Sequence, residues 1–181
     1  VINDLAVDER AKKVIFLSFQ YPEEIAGLTV EDFLRTAKEA ITGEKQYFMQ
    51  FHNDLVEKME KLHINPEYAD RHLNVGFSGG EKKKNEILQM AVLEPKLAIL
   101  DETDSGLDRD ATKVVFEGVQ KLKTKDNAML IITHYDKVLD YLEPDFVHVL
   151  MDGRIVKTGG KEIVEMIEKF GYGKIRQDLG L

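Results

Sequence analysis

Two acidic side chains directly follow a short apolar run, and this placement can support metal and water chemistry. Asp101 and Glu102 come after the sequence LAIL, which predicts a parallel strand covered on both faces. Ligand crevices in open α/β sheets lie at the carboxyl ends of the strands. Because adjacent acids are costly there without a cation, we predict that one carboxylate orients Mg²⁺ with nucleotide phosphates while the other faces a water molecule. The alternative is a solvated turn after the strand.

Two other polar residues end apolar runs in the same way. Gln20 follows VIFLSF and His134 follows AMLIIT, so both should lie at the same edge of the sheet. An amide there could join metal or water coordination, and an imidazole could contact a terminal phosphate oxygen. Taken singly, each is equally well explained as a structural polar residue.

The stretch NVGFSGGEKKKNEIL predicts a helix that begins after a serine and two glycines. Ser78 and Glu81 fit the Ser-x-x-Glu capping box, which is a sufficient structural explanation for the pair. A cap needs no glycine, however, and Gly79 and Gly80 would let a phosphate approach the first N–H groups of the helix closely. The stretch therefore predicts an anion site. The lysines that follow either add positive charge to it or form a solvated helix face.

The elements that would position these residues follow from the spacing of apolar side chains. Residues from about 25 to 93 are predicted to be mostly helical, with a helix start at Thr29. The second half alternates strand, helix and strand, which predicts an α/β fold with a parallel sheet. Asp152 and Gly153 stand between two β-rich arms and predict a hairpin. A last helix is predicted to end at Gly171.

Composition excludes several classes of protein. The 181 residues are 43% hydrophobic and 32% charged, as in an ordered globular domain, and the net charge of -8 argues against nonspecific nucleic-acid binding. With no cysteine, a disulfide framework or a thiolate metal site is impossible, and a cytoplasmic location is consistent with this. The apolar runs LAIL and AMLII are too short to span a membrane.

With FSGGE, LAILDETDSGLD and ITHY in this order, the chain resembles the ATP-binding-cassette (ABC) ATPases. The stretches FQYPEEI, EKKKNEILQM and DETDSGLD are similar to the SufC-type members of that family, from the SUF iron–sulfur cluster assembly system. The resemblance implies a RecA-like P-loop NTPase core with a parallel sheet and an inserted α-helical subdomain. Residues 1–20 would belong to the core, 21–93 to the helical subdomain, and 94–181 to the rest of the core. Lys84 departs from the arginine expected there.

The resemblance also implies a role for each candidate site residue. Asp101 would be the Walker B acid behind Mg²⁺, Glu102 the general base, His134 the switch histidine, and Gln20 the Q-loop glutamine that also contacts the metal. The remaining residues would contact ATP across a dimer of two heads: the signature motif Ser78, Gly79 and Gly80, which reaches the γ-phosphate held by the opposite subunit, and the D-loop residues Asp104, Ser105 and Asp108.

The implied function is ATP hydrolysis with ATP and Mg²⁺, driving cluster assembly with SufB/SufD-like scaffold proteins. The alternative is the ATP-binding subunit of an ABC transporter, and two further rivals are a DNA-repair or chromosome ATPase and a noncatalytic interaction module. Direct membrane insertion and nucleic-acid binding are not expected.

One expected motif is missing from this chain. None of its thirteen glycines starts the Gly-x-x-x-x-Gly-Lys-Ser/Thr phosphate loop, known as Walker A. We therefore expect either a C-terminal fragment of a longer ATPase, inactive alone, or a degenerate noncatalytic homologue.

Overall fold

The structure, a computed structural model, describes residues 2–133 and 136–180, and at positions 136, 137, 178 and 179 it describes the backbone alone. The chain divides into two compact units, Val1–His134 and Tyr135–Leu181. The larger unit holds a parallel sheet, a small antiparallel sheet and most of the helices. In the part of the chain that the structure describes, no helix combines the length and the apolar character that a membrane span requires.

The parallel sheet is the framework of the larger unit. Its strand order is β1-β4-β5, with β1 at Ile15–Ser18, β4 at Leu97–Asp101 and β5 at Ala128–Ile132. Both strand pairs are parallel, which confirms the predicted parallel sheet. The three strands fall at the apolar runs identified in the sequence, since short continuous apolar runs favour strands inside an α/β core.

The two faces of this sheet differ in their environment. In the register of the strands, Phe16, Ala98 and Met129 share one face, and buried Ser18 and Leu100 lie on it as well. The opposite face leaves three apolar side chains half open to water, Leu17 at 42%, Leu130 at 48% and Ile132 at 46% exposure. Cover on both faces was predicted for β4, and this is wrong for the face that carries Ile99, which is only partly buried. On the Ser18 face, Ser18 Oγ donates to the buried Glu86 carboxylate of the helix Gly79–Leu93.

Helices fill most of residues 30–93. The α-helices of the larger unit are α1 (Val7–Lys12), α2 (Val30–Thr42), α3 (Phe48–Lys61), α4 (Gly79–Leu93) and α5 (Arg109–Leu122), with a 3₁₀ helix at Pro66–Asp70. As predicted, Thr29 caps α2, because its Oγ1 accepts a hydrogen bond from the Asp32 amide at 3.1 Å. Helix α4 packs on α5 so closely that a Cβ at Gly118 would lie 3.0 Å from Ile87 Cγ2.

A two-stranded antiparallel sheet interrupts the region predicted to be mostly helical. Strand β2 (Ile25–Thr29) pairs with β3 (His72–Leu73), with Ile25 opposite Leu73. The two strands are far apart in the sequence and β3 is only two residues long. Neither carries the alternating apolar pattern that would identify a strand locally.

The smaller unit is a hairpin with a helix. Strands β6 (Val147–Met151) and β7 (Arg154–Gly159) are antiparallel, and positive φ angles of 49° at Asp152 and 75° at Gly153 form the turn, which confirms the predicted hairpin. Helix α6 runs over Glu162–Leu179 and is interrupted at Gly171 by non-helical φ/ψ angles, after which it resumes. The helix was predicted to end there. Buried Val149, Met151, Ile163 and Ile175 form the core of this unit.

Candidate functional site

Asp101 is the last residue of β4, and it lies opposite Ile132 of β5. Alternation along the strand places its side chain on the same face as Ile99, which is the face left partly open to water. Ligands of open α/β sheets bind at the carboxyl ends of the parallel strands, and the Asp101 carboxylate lies at such an end. The structure thus places Asp101 where the sequence predicted a metal-orienting acid.

The structure brings Gln20 and Glu102 together. The Gln20 Nε2 atom donates a hydrogen bond to Glu102 Oε2 at 2.5 Å, although the two residues are 82 positions apart in the sequence. The backbone of Glu102 has a positive φ of 45°, and its amide donates to Ile132 O at 2.9 Å. Glu102 therefore occupies a left-handed turn directly after β4, where it meets the residue that follows β1. We call this group, Gln20, Asp101 and Glu102, the acid end.

The three residues after Glu102 fold back over the sheet edge. Thr103 is fully buried, and Asp104 Oδ2 accepts a hydrogen bond from Thr133 Oγ1 at 2.9 Å. The second Asp104 oxygen is buried without a hydrogen-bond partner among residues 2–133 and 136–180. The Ser105 amide donates to Glu102 O at 2.9 Å. Asp108 then caps α5, accepting from the Ala111 amide at 2.8 Å.

The second predicted site lies at the start of α4. The Ser78 amide donates to Glu81 Oε2 at 2.6 Å, and Ser78 Oγ accepts from the Glu81 amide at 3.3 Å. Both bonds of the predicted capping box are present, so the structural interpretation of Ser78 and Glu81 is confirmed. We call the residues Ser78–Glu81 the signature end.

Aromatic and cationic side chains brace the signature end from the preceding loop. The Tyr68 hydroxyl donates to Glu81 Oε1, and the Arg71 guanidinium lies 4.7 Å from the Tyr68 ring centroid and 4.1 Å from that of Phe77. Arg71 also donates to Gly76 O at 3.3 Å. The Tyr68 hydroxyl, and then the Ser78 amide, lower the pKa of Glu81 from 4.5 to about 2. Glu81 therefore stays ionised over the whole physiological range.

Gly79 and Gly80 are not required by packing within this chain. A Cβ built at Gly79 would lie 3.9 Å from Gly106 O, and one at Gly80 would lie 3.6 Å from Ala111 Cβ. Both distances are ordinary van der Waals contacts, so alanine would fit at either position. They also place the signature end beside Gly106 and the start of α5 in the same chain. Because Gly79 and Gly80 have no side chains, a group from outside this chain can approach the backbone there.

Sequence reasoning missed the role of the lysine run. Lys83 is 3% exposed, and its ammonium contacts Phe19 O and the buried Glu86 carboxylate, so it neither faces solvent nor adds charge to the signature end. Lys82 pairs with Glu24 at 2.8 Å. Lys83 and Glu86 lie one helical turn apart and next to buried Ile87. This pair of opposite charges on a helix face that also carries apolar residues was the sequence pattern that could have predicted a buried ion pair.

His134, predicted at the same sheet edge, lies outside the described residues. Its neighbour Thr133 directly follows β5, and the Thr133 hydroxyl donates to Asp104 Oδ2.

The donor atoms at the acid end suit a magnesium ion that is shared with phosphates. Among the residues that the structure describes, no three His, Cys, Asp or Glu side chains form a metal-binding group. Mg²⁺ with a nucleotide needs only one or two protein oxygens, because waters and phosphates supply the others. The Asp101 carboxylate provides one, and the Gln20 amide oxygen is available because Nε2 makes the bond to Glu102. These two residues fit the ion.

Comparison with known proteins identifies the family. The ABC transporter family profile matches residues 2–105. Vegetative protein 296 of Bacillus subtilis is 52% identical over 99% of this chain and 70% of its own length, and a probable ABC transporter ATP-binding protein of Streptococcus pyogenes serotype M3 is 53% identical over 99% and 71%.

Solved structures agree with this assignment. An ATP-binding cassette of an ABC transporter in its ADP conformation has a TM-score of 0.70 at 26% identity, covering 93% of this chain and 70% of its own. A second cassette, described as dimeric, has a TM-score of 0.72 at 18% identity over 87% and 68%, and it shares the fold alone. The chain belongs to the ABC transporter ATP-binding family, with the mixed α/β fold of its ATPase cassettes.

Proposed function

We propose that this protein hydrolyses ATP with Glu102 as the general base. The observation that carries the proposal is the hydrogen bond between Gln20 and Glu102 at the carboxyl edge of the sheet. It fixes the direction of the carboxylate next to Asp101, as is required of a group that takes a proton from an attacking water. A positioned general base contributes on the order of 10²–10⁴-fold to a rate.

The chemistry assigned to these residues is in-line phosphoryl transfer to water. A water hydrogen-bonded to Glu102 attacks the γ-phosphorus while the bond from that phosphorus to the bridging oxygen breaks, and ADP departs with the bond electrons. The water proton passes to the carboxylate. Asp101 and the Gln20 amide oxygen would hold Mg²⁺, which neutralises charge on the phosphates when it is bound. His134 is proposed as the residue near the γ-phosphate, on the resemblance alone.

We also propose that the signature end serves a nucleotide held by a second cassette. Gly79 and Gly80 open the start of α4 although packing within the chain does not need them. The first N–H groups of an α-helix favour an anion. Asp104, Ser105 and Asp108 are proposed to lie at the same interface, which is supported by the proximity of Gly79 to Gly106. ATP-dependent pairing of two heads is proposed on the family resemblance, and one solved cassette of the same fold is described as dimeric.

Glu102→Gln in the full-length gene product tests the proposal. The amide keeps the shape and the hydrogen bond to Gln20 but cannot accept the water proton. We expect steady-state ATP turnover to fall by about 10³-fold while nucleotide affinity stays within about threefold. Turnover is measured by phosphate release and affinity by equilibrium titration. Robust hydrolysis by the variant would falsify the role given to Glu102.

The 181-residue chain alone is proposed to be inactive. It carries no Walker A loop, whose backbone N–H groups and lysine hold the β- and γ-phosphates in P-loop enzymes. The same phosphate-release assay on this chain and on the full-length gene product compares the two directly.

Two processes are candidates for what hydrolysis drives. The printed names of several relatives, among them the streptococcal protein, favour the ATP-binding subunit of an ABC transporter. The stretches FQYPEEI, EKKKNEILQM and DETDSGLD favour iron–sulfur cluster assembly with SufB/SufD-like scaffolds. Affinity purification at native expression separates them. Recovery of a membrane permease supports transport, and recovery of a soluble scaffold that binds iron–sulfur clusters supports assembly.

A further inference from the structure

A buried ion pair on α4 holds the residue that precedes Gln20. Lys83 Nζ and Glu86 Oε2 are 3.0 Å apart, and both side chains are 3% exposed. Glu86 Oε1 accepts a hydrogen bond from the Phe19 amide at 2.9 Å, and Lys83 Nζ donates to Phe19 O at 2.5 Å. Both backbone polar groups of Phe19 are therefore bonded to α4, the helix that begins at the signature end.

The same carboxylate is bonded to the end of β1, and through it is connected to the residue that follows Glu102. Ser18 Oγ donates to Glu86 Oε2 at 2.8 Å, and it lies 3.3 Å from Thr103 Oγ1. Ser18 is the last residue of β1, and Thr103 directly follows Glu102. One buried polar network thus links α4, the end of β1 and the residue after the proposed general base.

A second set of contacts holds the other end of the Gln20 segment. Asn74 Nδ2 donates to Glu23 O at 2.8 Å, and Asn85 Nδ2 of α4 donates to Asn74 Oδ1 at 2.9 Å. Lys82 Nζ donates to Glu24 Oε1 at 2.8 Å. Residues 19–24 are therefore attached to α4 at both ends.

The energetics favour a role in geometry over a role in stability. Buried ion pairs lose hydration and are often no more stabilising than apolar side chains of similar size. Burial also raises the pKa of Glu86, against the opposing effects of Lys83, Ser18 and Phe19. The pair instead fixes the positions of Phe19 and Ser18, because it makes hydrogen bonds to the Phe19 backbone and to Ser18 that apolar side chains could not make.

We propose that α4 and residues 19–24 move as one body, with Lys83 and Glu86 as positioning residues that set Gln20 against Glu102. This inference rests on the proposed function, because the effect assigned to Lys83 and Glu86 is an effect on ATP hydrolysis.

The test replaces the pair with apolar residues, Lys83→Met together with Glu86→Leu, in the full-length gene product. Because such replacement commonly preserves stability, the melting temperature is expected to be unchanged or higher. Amide exchange at Phe19 is expected to rise about tenfold or more, since both of its bonds to α4 are lost. We expect kcat to fall roughly tenfold with KM for ATP within about twofold, because misplacement of a catalytic contact acts on the chemical step.

Lys58→Met is the matched control. Lys58 donates to Ala91 O at 2.9 Å, so the variant also removes a bond from a lysine to α4, but at the far end of the helix. Exchange at Phe19 and kcat should both keep their wild-type values.

The outcomes separate this inference from the proposed function. Unchanged exchange at Phe19 in the folded double variant would overturn the attachment, and faster exchange with wild-type kcat would overturn its role in hydrolysis. A wild-type protein without ATPase activity overturns the proposed function instead, and the exchange measurement still decides the attachment. If the double variant does not fold, Ser18→Ala removes one bond to Glu86, and a failure to raise exchange at Phe19 then counts against the proposal.

Discussion

The signature end and the acid end are built in opposite ways. At the signature end, the residues that fix Ser78 and Glu81 come from a single stretch between Tyr68 and Glu81. At the acid end, Glu102 meets Gln20 across 82 positions and Ile132 across the sheet. One end is assembled by its own loop, and the other requires three parallel strands to be in register.

This difference shows which of the two ends can form locally. A capping box and a stacked arginine are complete once a few neighbouring residues adopt their turn. The acid end exists only after β1, β4 and β5 have paired, so its geometry depends on the sheet core. Perturbing that core should damage the acid end, and perturbing the cap should leave it intact.

The largest effect is expected from Leu100→Ala. Leu100 is fully buried on the helix-covered face of β4, one residue before Asp101. Loss of a buried leucine typically costs about 2–5 kcal/mol, and here the register that brings Gln20 to Glu102 is weakened as well. Urea unfolding measures the loss. Leu150→Ala, at a largely exposed leucine in β6, is the control and should change stability by no more than about 0.5 kcal/mol.

A smaller and strictly local effect is expected from Ser78→Ala. The variant removes the cap of α4 and should cost about 1 kcal/mol. Hydrogen exchange at the Glu81 amide should accelerate, whereas the Glu102 amide, bonded to Ile132, should keep its protection. Asp108→Ala removes the equivalent cap of α5, and its loss of stability is compared with that of Ser78→Ala. Loss of protection at Glu102 in the Ser78 variant would contradict the independence of the two ends.

The smallest effect is expected from Tyr68→Phe. It removes the main cause of the lowered pKa of Glu81, so that pKa should rise from about 2 toward 4.5. Because the folded pKa is depressed, the ionised carboxylate stabilises the wild-type protein above pH 4.5, and this contribution is lost as the pH falls through about 2. At neutral pH the variant should lose only about 0.5 kcal/mol, since Glu81 is partly exposed.

Acid unfolding of both proteins, followed by circular dichroism, checks this last prediction. The stability advantage of the wild type over the variant should shrink as the pH falls from about 4.5 toward about 2, because the variant has a smaller pKa depression to lose. Coincident acid profiles would show that Tyr68 does not control Glu81.

The same contrast explains which features of the fold and the site could be predicted from the sequence. The Ser78 capping box, the Thr29 cap and the turn at Asp152 and Gly153 were predicted because each depends on a few adjacent residues. The sheet edge was predicted from where apolar runs end, and Gln20 was predicted to lie at that edge on the same basis, whereas its bond to Glu102 was not predicted. The roles given to all the candidate site residues stay predictions.

What could not be predicted depends on contacts between distant segments. The pairing of β2 with β3 joins Ile25 to Leu73, and neither segment has a strand pattern of its own. The lysine run was predicted either to add charge to the anion site or to form a solvated helix face, yet a backbone carbonyl and a carboxylate surround the Lys83 ammonium instead. The open face of the sheet was also unexpected, since an apolar run does not reveal whether both of its faces have neighbours.

The left-handed backbone at Glu102 carries an evolutionary consequence. A glutamate with a φ of 45° is held in a conformation that costs an ordinary L-residue roughly 1–2 kcal/mol and costs glycine almost nothing. Selection for heat resistance alone would drift this position toward glycine. With the role proposed for Glu102 in hydrolysis, a glutamate at this position exchanges that stability for turnover.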